Sequence, residues 1–271
     1  PVMSECSEDL KDLIVHASAL LINIGTVTPD KVTYYKEAVK LAKAHEVPII
    51  LDPVGCHAGA YRLSVVLDLI KTGAISLLRG NQSEIKAIYD ALNTNHKIDS
   101  SLSGKGVDGE QVEDSAIITY RLARQINCPV VATGEEDYVS DGTRVFAVPH
   151  GHSIMTAVTG TGCLLGAVLA AFFSSYYPFM DNLSIGEFLA YALAYYGLAG
   201  ESAVKVSGVK PGIFSVAFMD ALYEFDDAML LSKNRIRPVV VPDQLKVYFI
   251  SGTQDVGFNE RHLLDTVEAA C

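Results

Sequence analysis

The sequence has little positive charge for its length. Its 21 basic residues are outnumbered by 32 acidic ones, and the formal net charge at pH 7 is −11. A chain with this balance has no sequence-wide field that attracts a nucleic acid or an anionic membrane surface. Backbone amides, helix N-termini and a divalent cation can still bind a small anion at short range. The composition therefore argues against a polyanion as the main ligand and leaves an anionic metabolite open.

The cysteines show neither a disulfide framework nor a metal-binding pattern. They are odd in number, widely spaced and without a CxxC pair: Cys6, Cys56, Cys128, Cys163 and Cys271. This usage is typical of reduced intracellular thiols. No apolar run reaches the ~18 uncharged residues of a membrane span, and the start lacks the basic-then-apolar pattern of a signal peptide. We expect a cytoplasmic protein that binds no membrane.

Two common catalytic or nucleotide-binding signatures are also absent. The chain has no GxSxG and no GxxxxGK[ST]. These absences argue against a serine hydrolase of the nucleophile-elbow type and a P-loop enzyme.

Apolar runs and helical patterns alternate along most of the chain. Ala19–Ile24 reads as a strand, Pro29–Glu46 carries apolar residues at helical spacing, and Val47–Leu51 reads as a second strand. Such βαβ units with continuously apolar strands are typical of a parallel sheet covered by helices on both faces. The 271 residues are 49% hydrophobic, enough for one large α/β domain. We predict an α/β fold with a mostly parallel central sheet.

Further elements follow the same pattern. We predict strands at Ile75–Leu78 and Pro129–Thr133, and a hairpin of Asp137–Ser140 and Arg144–Val148 around an Asp-Gly turn. Helices are predicted over Ala116–Ile126, Cys163–Phe173, Leu183–Ser207 and Phe214–Phe225.

Two segments give weak structural signals. The polar, glycine-containing stretch Leu92–Asp114 reads as a surface insertion or loop. Lys233–Cys271 holds one strand-like run, Lys246–Ile250, and is otherwise hard to place. We expect one domain over residues 1–231 and a C-terminal extension of uncertain structure over residues 232–271.

The most informative motif is Val158-Thr159-Gly160-Thr161-Gly162-Cys163, which precedes an apolar helix. Glycines let the backbone approach a ligand closely, and free N–H groups at the helix start favour an anion. The alternative is an ordinary glycine-rich turn into a helix. Cys163 would lie in the first helical turn, where positive potential favours a reactive thiol, although a lone cysteine on an apolar helix is more often packing.

Two acidic residues fall where strands are expected to end. Asp52 follows the strand Val47–Leu51, and Glu84 lies one turn into the helix that follows Arg79-Gly80-Asn81. The carboxyl ends of strands are where open α/β sheets bind ligands. Two carboxylates near a phosphate site suggest hydrated Mg²⁺. Asn81 and Glu84 also fit a plain helix capping box, so both interpretations of Glu84 stay open.

Two other residue pairs favour structural roles. His150 and His152 lack the further ligands that a tetrahedral metal site needs. Tyr195 and Tyr196 lie in an apolar helix, where packing is the simpler interpretation.

In combination, the motifs resemble hydroxyethylthiazole kinase, a family with the ribokinase-like α/β fold. The resemblance covers roughly residues 1 to 231. It rests on the order of Asn23-Ile24-Gly25-Thr26, Leu51-Asp52-Pro53-Val54-Gly55, Arg79-Gly80-Asn81 with Glu84, Lys105-Gly106-Val107-Asp108, Thr133-Gly134-Glu135 and Val158–Cys163.

The resemblance implies ATP-dependent phosphorylation of the hydroxyl of 4-methyl-5-(2-hydroxyethyl)thiazole in thiamin biosynthesis. It places Arg79, Asn81, Thr133 and Thr159 at ATP, and Met3, Gly25, Thr26 and Gly160 at the thiazole. It places Asp52 and Glu84 at Mg²⁺. Cys163 takes the place of the catalytic Asp of other ribokinase-like kinases, and with Gly160 and Gly162 it forms the catalytic group.

The family pattern also implies an assembly and leaves alternatives. It implies homotrimers with active sites between subunits. Relatives usually begin with a further strand and helix before Pro1-Val2-Met3, and Ala157 stands where they often carry a basic residue. The start at Pro1 and the extension suggest part of a bifunctional protein fused to thiamin-phosphate synthase. Two other functions stay open: an ATP-dependent NAD(P)H-hydrate dehydratase of the same fold, whose members keep an Asp at position 163, and a non-catalytic assembly domain.

Overall fold

The computed structural model describes residues 2–93, 111–176, 180–225 and 227–241. The chain divides into a compact unit of Pro1–Val239 and a second unit of Val240–Cys271. Of the second unit, only Val240 and Val241 belong to the described residues. All elements below lie in the first unit, which extends past the predicted boundary at residue 231.

A seven-stranded mixed sheet runs in chain order from β1 to β7. Strands β1 to β4 are mutually parallel, and each of β5, β6 and β7 is antiparallel to the strand before it. Nearly every position of the central strands is buried, as expected for strands covered on both faces. The strands are β1 Leu20–Asn23, β2 Ile49–Asp52, β3 Leu77–Asn81, β4 Val130–Thr133, β5 Asp137–Ser140, β6 Val145–Val148 and β7 Arg237–Val239.

Helices connect and cover the strands. Thr28 and Ser184 cap the helices that follow them by accepting a backbone N–H in the first turn. The helices are α1 Leu10–Val15, α2 Pro29–Ala44, α3 Ala60–Lys71, α4 Gln82–Asn93, α5 Gln111–Ile126, α6 Thr161–Ser174, α7 Ile185–Ser207, α8 Pro211–Glu224 and α9 Asp227–Lys233. None of the helices in the described ranges combines the length and the apolar character that a bilayer crossing demands.

The main core lies between one face of the sheet and helices α6, α7 and α8. Ile50, Leu77 and Val131 point into it from the strands, and Leu169 and Phe214 enter it from the helices. Helices α4 and α5 contact strands β3 to β5, but none of their described side chains belongs to this cluster. The sheet is therefore covered on both faces, and the predicted α/β fold is confirmed, with its parallel part formed by four strands.

Several predicted boundaries need correction. Arg79-Gly80-Asn81 lies inside β3 and not after it, because the parallel pairing with β4 continues to Asn81 and Thr133. Both ends of the predicted loop Leu92–Asp114 are helical, since α4 ends at Asn93 and α5 begins at Gln111. The Lys105–Asp108 motif and the strand-like run Lys246–Ile250 lie outside the described residues.

A buried histidine anchors the chain segment that leads into β7. The backbone N–H of Arg235 donates to Nε2 of His150 at 2.9 Å, and Nδ1 of His150 lies 3.1 Å from Glu201 Oε1. Because Nε2 accepts a hydrogen bond, Nδ1 must carry the ring proton and the imidazole is neutral. Burial lowers the pKa of His150, and the Arg235 charge lowers it further, against the opposing effect of Glu201. The structural interpretation of His150 is confirmed.

This arrangement predicts a pH-dependent contribution to stability. The folded-state pKa of His150 lies below its unfolded value, so its contribution is present above about pH 6.5 and is lost as pH falls through the folded pKa. Denaturant titrations at pH 8 and pH 5.5 should show that His150→Gln loses less free energy of unfolding on acidification than the wild type does. An equal loss in both proteins would contradict the neutral, hydrogen-bonded histidine.

Candidate active site

The ends of the parallel strands bring the predicted site residues to one edge of the sheet. Asn23 pairs with Asp52 across β1 and β2, and Asn81 pairs with Thr133 across β3 and β4. Four polar side chains therefore follow one another along the carboxyl edge, where open α/β sheets bind ligands. This edge faces the start of α6.

Asp52 is a fully buried carboxylate at this edge. Its Oδ2 accepts a hydrogen bond from Asn23 Nδ2 at 3.0 Å and lies 3.4 Å from Arg79 Nη1. Burial raises the pKa of Asp52 to about 6, although Arg79 lowers it, while the nearby Glu84 adds to the increase. The pKa of Asp52 thus lies well above that of an ordinary aspartate. Shifted pKa values of this kind cluster at functional sites.

Arg79 is a nearly buried cation with an unused donor. Its Nη1 faces Asp52, and its Nη2 donates to Thr133 Oγ1 at 3.2 Å. Its Nε is buried and has no hydrogen-bond partner within the described part of the chain. A buried donor without a partner costs free energy, so such groups are usually reserved for a ligand or water.

The glycine-rich segment gives α6 an open start beside Arg79. Gly160 has a backbone φ of +95°, in the left-handed region that residues other than glycine rarely adopt. A Cβ at Gly162 would lie 3.3 Å from Arg79 Nη2, so the guanidinium lies against the first turn of α6. The first N–H groups of a helix have no partner within it and favour anions. The guanidinium and the helix start together offer the positive charge and the hydrogen-bond donors that a phosphate group requires.

The start of α6 is held over the sheet edge by two hydrogen bonds of Thr161. Tyr196 of α7 donates from its hydroxyl to the carbonyl oxygen of Thr161 at 2.6 Å, and Thr161 Oγ1 donates to Val158 O at 2.6 Å. One turn later, a Cβ at Gly166 would lie 3.5 Å from Asp52 Oδ2. The helix therefore passes directly over the Asp52 carboxylate.

Glu84 uses both carboxylate oxygens on the backbone. Oε1 accepts from the N–H of Gly55 at 2.7 Å, and Oε2 accepts from the N–H of Asn81 at 2.8 Å. The Glu84 N–H in turn donates to Asn81 Oδ1 at 2.8 Å. The capping-box interpretation is thereby confirmed. The same bonds hold the loop after β2 against the end of β3, close to Asp52.

The segment Gly25-Thr26 is held from three sides. Its Gly25 N–H donates to Asn23 Oδ1 at 2.8 Å, and Arg62 Nη2 donates to the Gly25 carbonyl at 3.1 Å. The Tyr35 hydroxyl donates to the carbonyl oxygens of Asn23 and Thr26. This segment is thus tied through Asn23 to the Asp52 carboxylate and has a defined position at the sheet edge.

The other predicted site residues are open to solvent. Thr159, Gly160, Gly162 and Cys163 are exposed at the start of α6, and Cys163 is a free thiol. Met3 is 96% exposed, so its side chain is not part of the cluster within a single chain.

The donor set fits a cation that arrives with a phosphate ligand. Among the described residues, no group of three or more His, Cys, Asp or Glu side chains is placed to hold a metal ion. Asp52 and Glu84 provide two carboxylates, and Mg²⁺ is commonly bound by one or two carboxylates together with water and substrate phosphates.

Three positioning residues carried no recognised function in the sequence. Arg62, Tyr196 and the side chain of Asn23 act through contacts with residues far along the chain. Asn23 is the one with a usable signal, because it is the last residue of a strand beside the strand that ends in Asp52.

Comparison with known proteins identifies the kinship of the chain. Residues 1–228 match the model of the Hydroxyethylthiazole kinase family. A hydroxyethylthiazole kinase of Streptococcus agalactiae serotype Ia is 45% identical over 234 residues, 86% of each chain. Hydroxyethylthiazole kinase 1 of Streptococcus pneumoniae strain CGSP14 is 37% identical over 238 residues, 88% of this chain and 86% of the relative.

A solved structure agrees with the sequence relatives. The hydroxyethylthiazole kinase protein of Pyrococcus horikoshii OT3 superposes with a TM-score of 0.76 at 32% identity, over 89% of this chain and 84% of that chain.

The Asp52 and Arg79 pair predicts a non-additive effect on stability. Arg79→Gln would leave a buried carboxylate without a cation, and at pH 8 we expect it to lower the free energy of unfolding by about 3 kcal/mol. The double variant Asp52→Asn/Arg79→Gln should recover most of that loss, as chemical denaturation can measure. A double variant as unstable as Arg79→Gln alone would show that the charge pair is not the cause.

Proposed function

Since its residues 1–228 match that family, this chain belongs to the hydroxyethylthiazole kinase family, and we propose that it phosphorylates 4-methyl-5-(2-hydroxyethyl)thiazole with ATP. The chain is an enzyme, a kinase whose acceptor is an alcohol, and the product serves thiamin biosynthesis. The observation that carries the proposal is the buried Nε of Arg79, which has no hydrogen-bond partner among the described residues and lies beside the open start of α6. Neither a hydrate dehydratase nor a non-catalytic assembly domain finds support in the comparisons.

The nucleotide phosphates would bind between Arg79 and the start of α6. Arg79 supplies the positive charge, and the amides of Gly160 and Gly162 supply hydrogen-bond donors where charge develops. Thr133 holds Nη2 of Arg79 and stands beside the same site. Thr159 and Asn81 complete the proposed ATP contacts, Thr159 from the exposed segment before α6 and Asn81 from the cap of α4.

Mg²⁺ would be held by Asp52 and Glu84 together with phosphate oxygens. When bound, the cation would neutralise phosphate charge. Asp52 contributes a carboxylate fixed by Asn23 and Arg79, and Glu84 contributes the lone pairs that its two backbone bonds leave free.

The acceptor alcohol would lie between the Gly25-Thr26 segment and Gly160. Met3 is a proposed thiazole contact, yet its side chain is exposed within one chain. We propose that a neighbouring subunit of a homotrimer completes the thiazole pocket, so that Met3 of one chain serves the site of another. Fusion to thiamin-phosphate synthase and a cytoplasmic location stay predictions, the latter supported by the free thiols of Cys6, Cys56, Cys128 and Cys163.

Cys163 is positioned for a role at the acceptor hydroxyl. It lies in the first turn of α6, one residue after Gly162, which contacts Arg79. The hydroxyl oxygen forms a bond to the γ-phosphorus, the bond from that phosphorus to the bridging oxygen of ADP breaks, and Sγ of Cys163 accepts the hydroxyl proton. Phosphoryl transfer has a loose transition state and depends mainly on positioning and charge, so a weak base suffices.

A direct assay tests both the reaction and the cysteine. The protein is incubated with Mg-ATP and hydroxyethylthiazole, and thiazole phosphate is followed by mass spectrometry. We expect product from the wild type, at least about 100-fold less kcat for Cys163→Ala, as is typical for loss of a general base, and retained activity for Cys163→Asp.

The matched control is Cys6→Ala, which removes another exposed thiol and should leave kcat unchanged. Absence of product from a wild type that still binds ATP would refute the thiazole substrate. An inactive Cys163→Asp would refute the proton-accepting role.

A further inference from the structure

Strand β7 lies beyond the part of the chain that the family model matches. The match ends at residue 228, and β7 spans Arg237–Val239. It pairs antiparallel with β6, with Ala147 opposite Arg237 and Phe146 opposite Pro238. Proline cannot donate to a ladder, which suits a strand at the edge of the sheet. The strand thus forms the edge of the sheet and lies outside the residues that the family model matches.

The chain is fixed firmly just before this strand. Arg235 donates from its backbone N–H to His150 Nε2 at 2.9 Å. Its Nη2 donates to the carbonyl oxygen of Pro149 at 2.6 Å and to Glu201 Oε1 at 2.7 Å. Three hydrogen-bond acceptors, two in the segment directly after β6 and one on α7, therefore set where β7 begins, and the position of Arg237 follows from it.

Arg237 bonds the loop that follows the proposed nucleotide contact. Its Nη2 lies 2.7 Å from both carboxylate oxygens of Glu136. The Glu136 carboxylate also accepts from the Tyr138 hydroxyl at 2.7 Å, and its side chain is 18% exposed against 55% for Arg237. The Glu136 carboxylate is thus held more firmly than that of a typical exposed ion pair, and Arg237 is the cation that pairs with it.

The loop between β4 and β5 connects Glu136 to Thr133 through a short, hydrogen-bonded turn. Only three residues join Thr133, at the end of β4, to Asp137, at the start of β5. Within them, the Gly134 N–H donates to Asp137 Oδ1 at 2.9 Å, and the carbonyl oxygen of Glu136 accepts from Gln82 Nε2 at 2.9 Å. A shift of Glu136 must therefore move this turn against α4 and the end of β4, where Thr133 holds Arg79.

We propose that Arg237 is a positioning residue for ATP, which acts through Glu136 on the loop after Thr133 and so keeps Thr133 and Arg79 in place for the phosphates. This inference rests on the proposed function, because it takes the Thr133 and Arg79 region as the nucleotide site. It assigns a functional role to a strand outside the family-matched residues.

The test compares KM values and ATP affinity in the full chain. Arg237→Gln and Glu136→Gln should each raise the KM for ATP and the Kd for ATP, measured calorimetrically without acceptor, by about fivefold, the upper range for a partly exposed ion pair. The KM for hydroxyethylthiazole should not change. The double variant should be no worse than either single variant, and Arg237→Lys should restore most of the affinity.

Arg144→Gln is the matched control, because Arg144 is 51% exposed and pairs with Glu187 at 3.3 Å elsewhere on the surface. It should lower the Tm as much as Arg237→Gln does and leave the KM for ATP unchanged. Equal ATP parameters in Arg237→Gln and wild type, or equal changes for ATP and thiazole, would overturn the proposal. A wild type that makes no thiazole phosphate would instead refute the proposed function.

Discussion

A buried ion pair beneath the start of a glycine-rich helix is the constraint on which the site depends. Asp52 and Arg79 come from adjacent parallel strands, and α6 passes over both, with Gly162 against the guanidinium and Gly166 against the carboxylate. Removing two charges from water is costly unless each finds partners. Asn23 and Thr133 provide part of that compensation, while Arg79 Nε is left for a ligand. The buried, incompletely compensated ion pair thus lowers the stability of the fold and leaves Arg79 Nε available to a ligand.

The chemistry of the site was more predictable from the sequence than its geometry. Strand ends and glycine spacing located Asp52, Gly160 and Cys163, because parallel strands place their carboxyl ends at one edge. The sequence did not predict that Arg79 lies within β3, since polar residues in a pattern usually mark the end of a strand. Contacts between residues far apart in the chain, such as Arg62 to Gly25, leave no local signal.

The antiparallel half of the sheet serves the site indirectly. Its first hairpin, formed by β5 and β6, was predicted from the Asp-Gly turn, whereas β7 was not, because three residues that include Pro238 carry too little strand signal. Its position is set by tertiary contacts of Arg235 with His150 and Glu201. The parallel strands hold the polar groups of the candidate site, and the antiparallel strands hold the loop that follows Thr133.

The central claim is that the terminal phosphates of ATP bind between Arg79 and the start of α6. A crystal structure with a non-hydrolysable ATP analogue and hydroxyethylthiazole tests this most directly. Our account predicts a phosphate oxygen within hydrogen-bond distance of Arg79 Nε and of an amide in the Gly160–Gly162 segment, with the thiazole hydroxyl beside Cys163. A nucleotide whose phosphates lie elsewhere, with Arg79 Nε still without a partner, would contradict it.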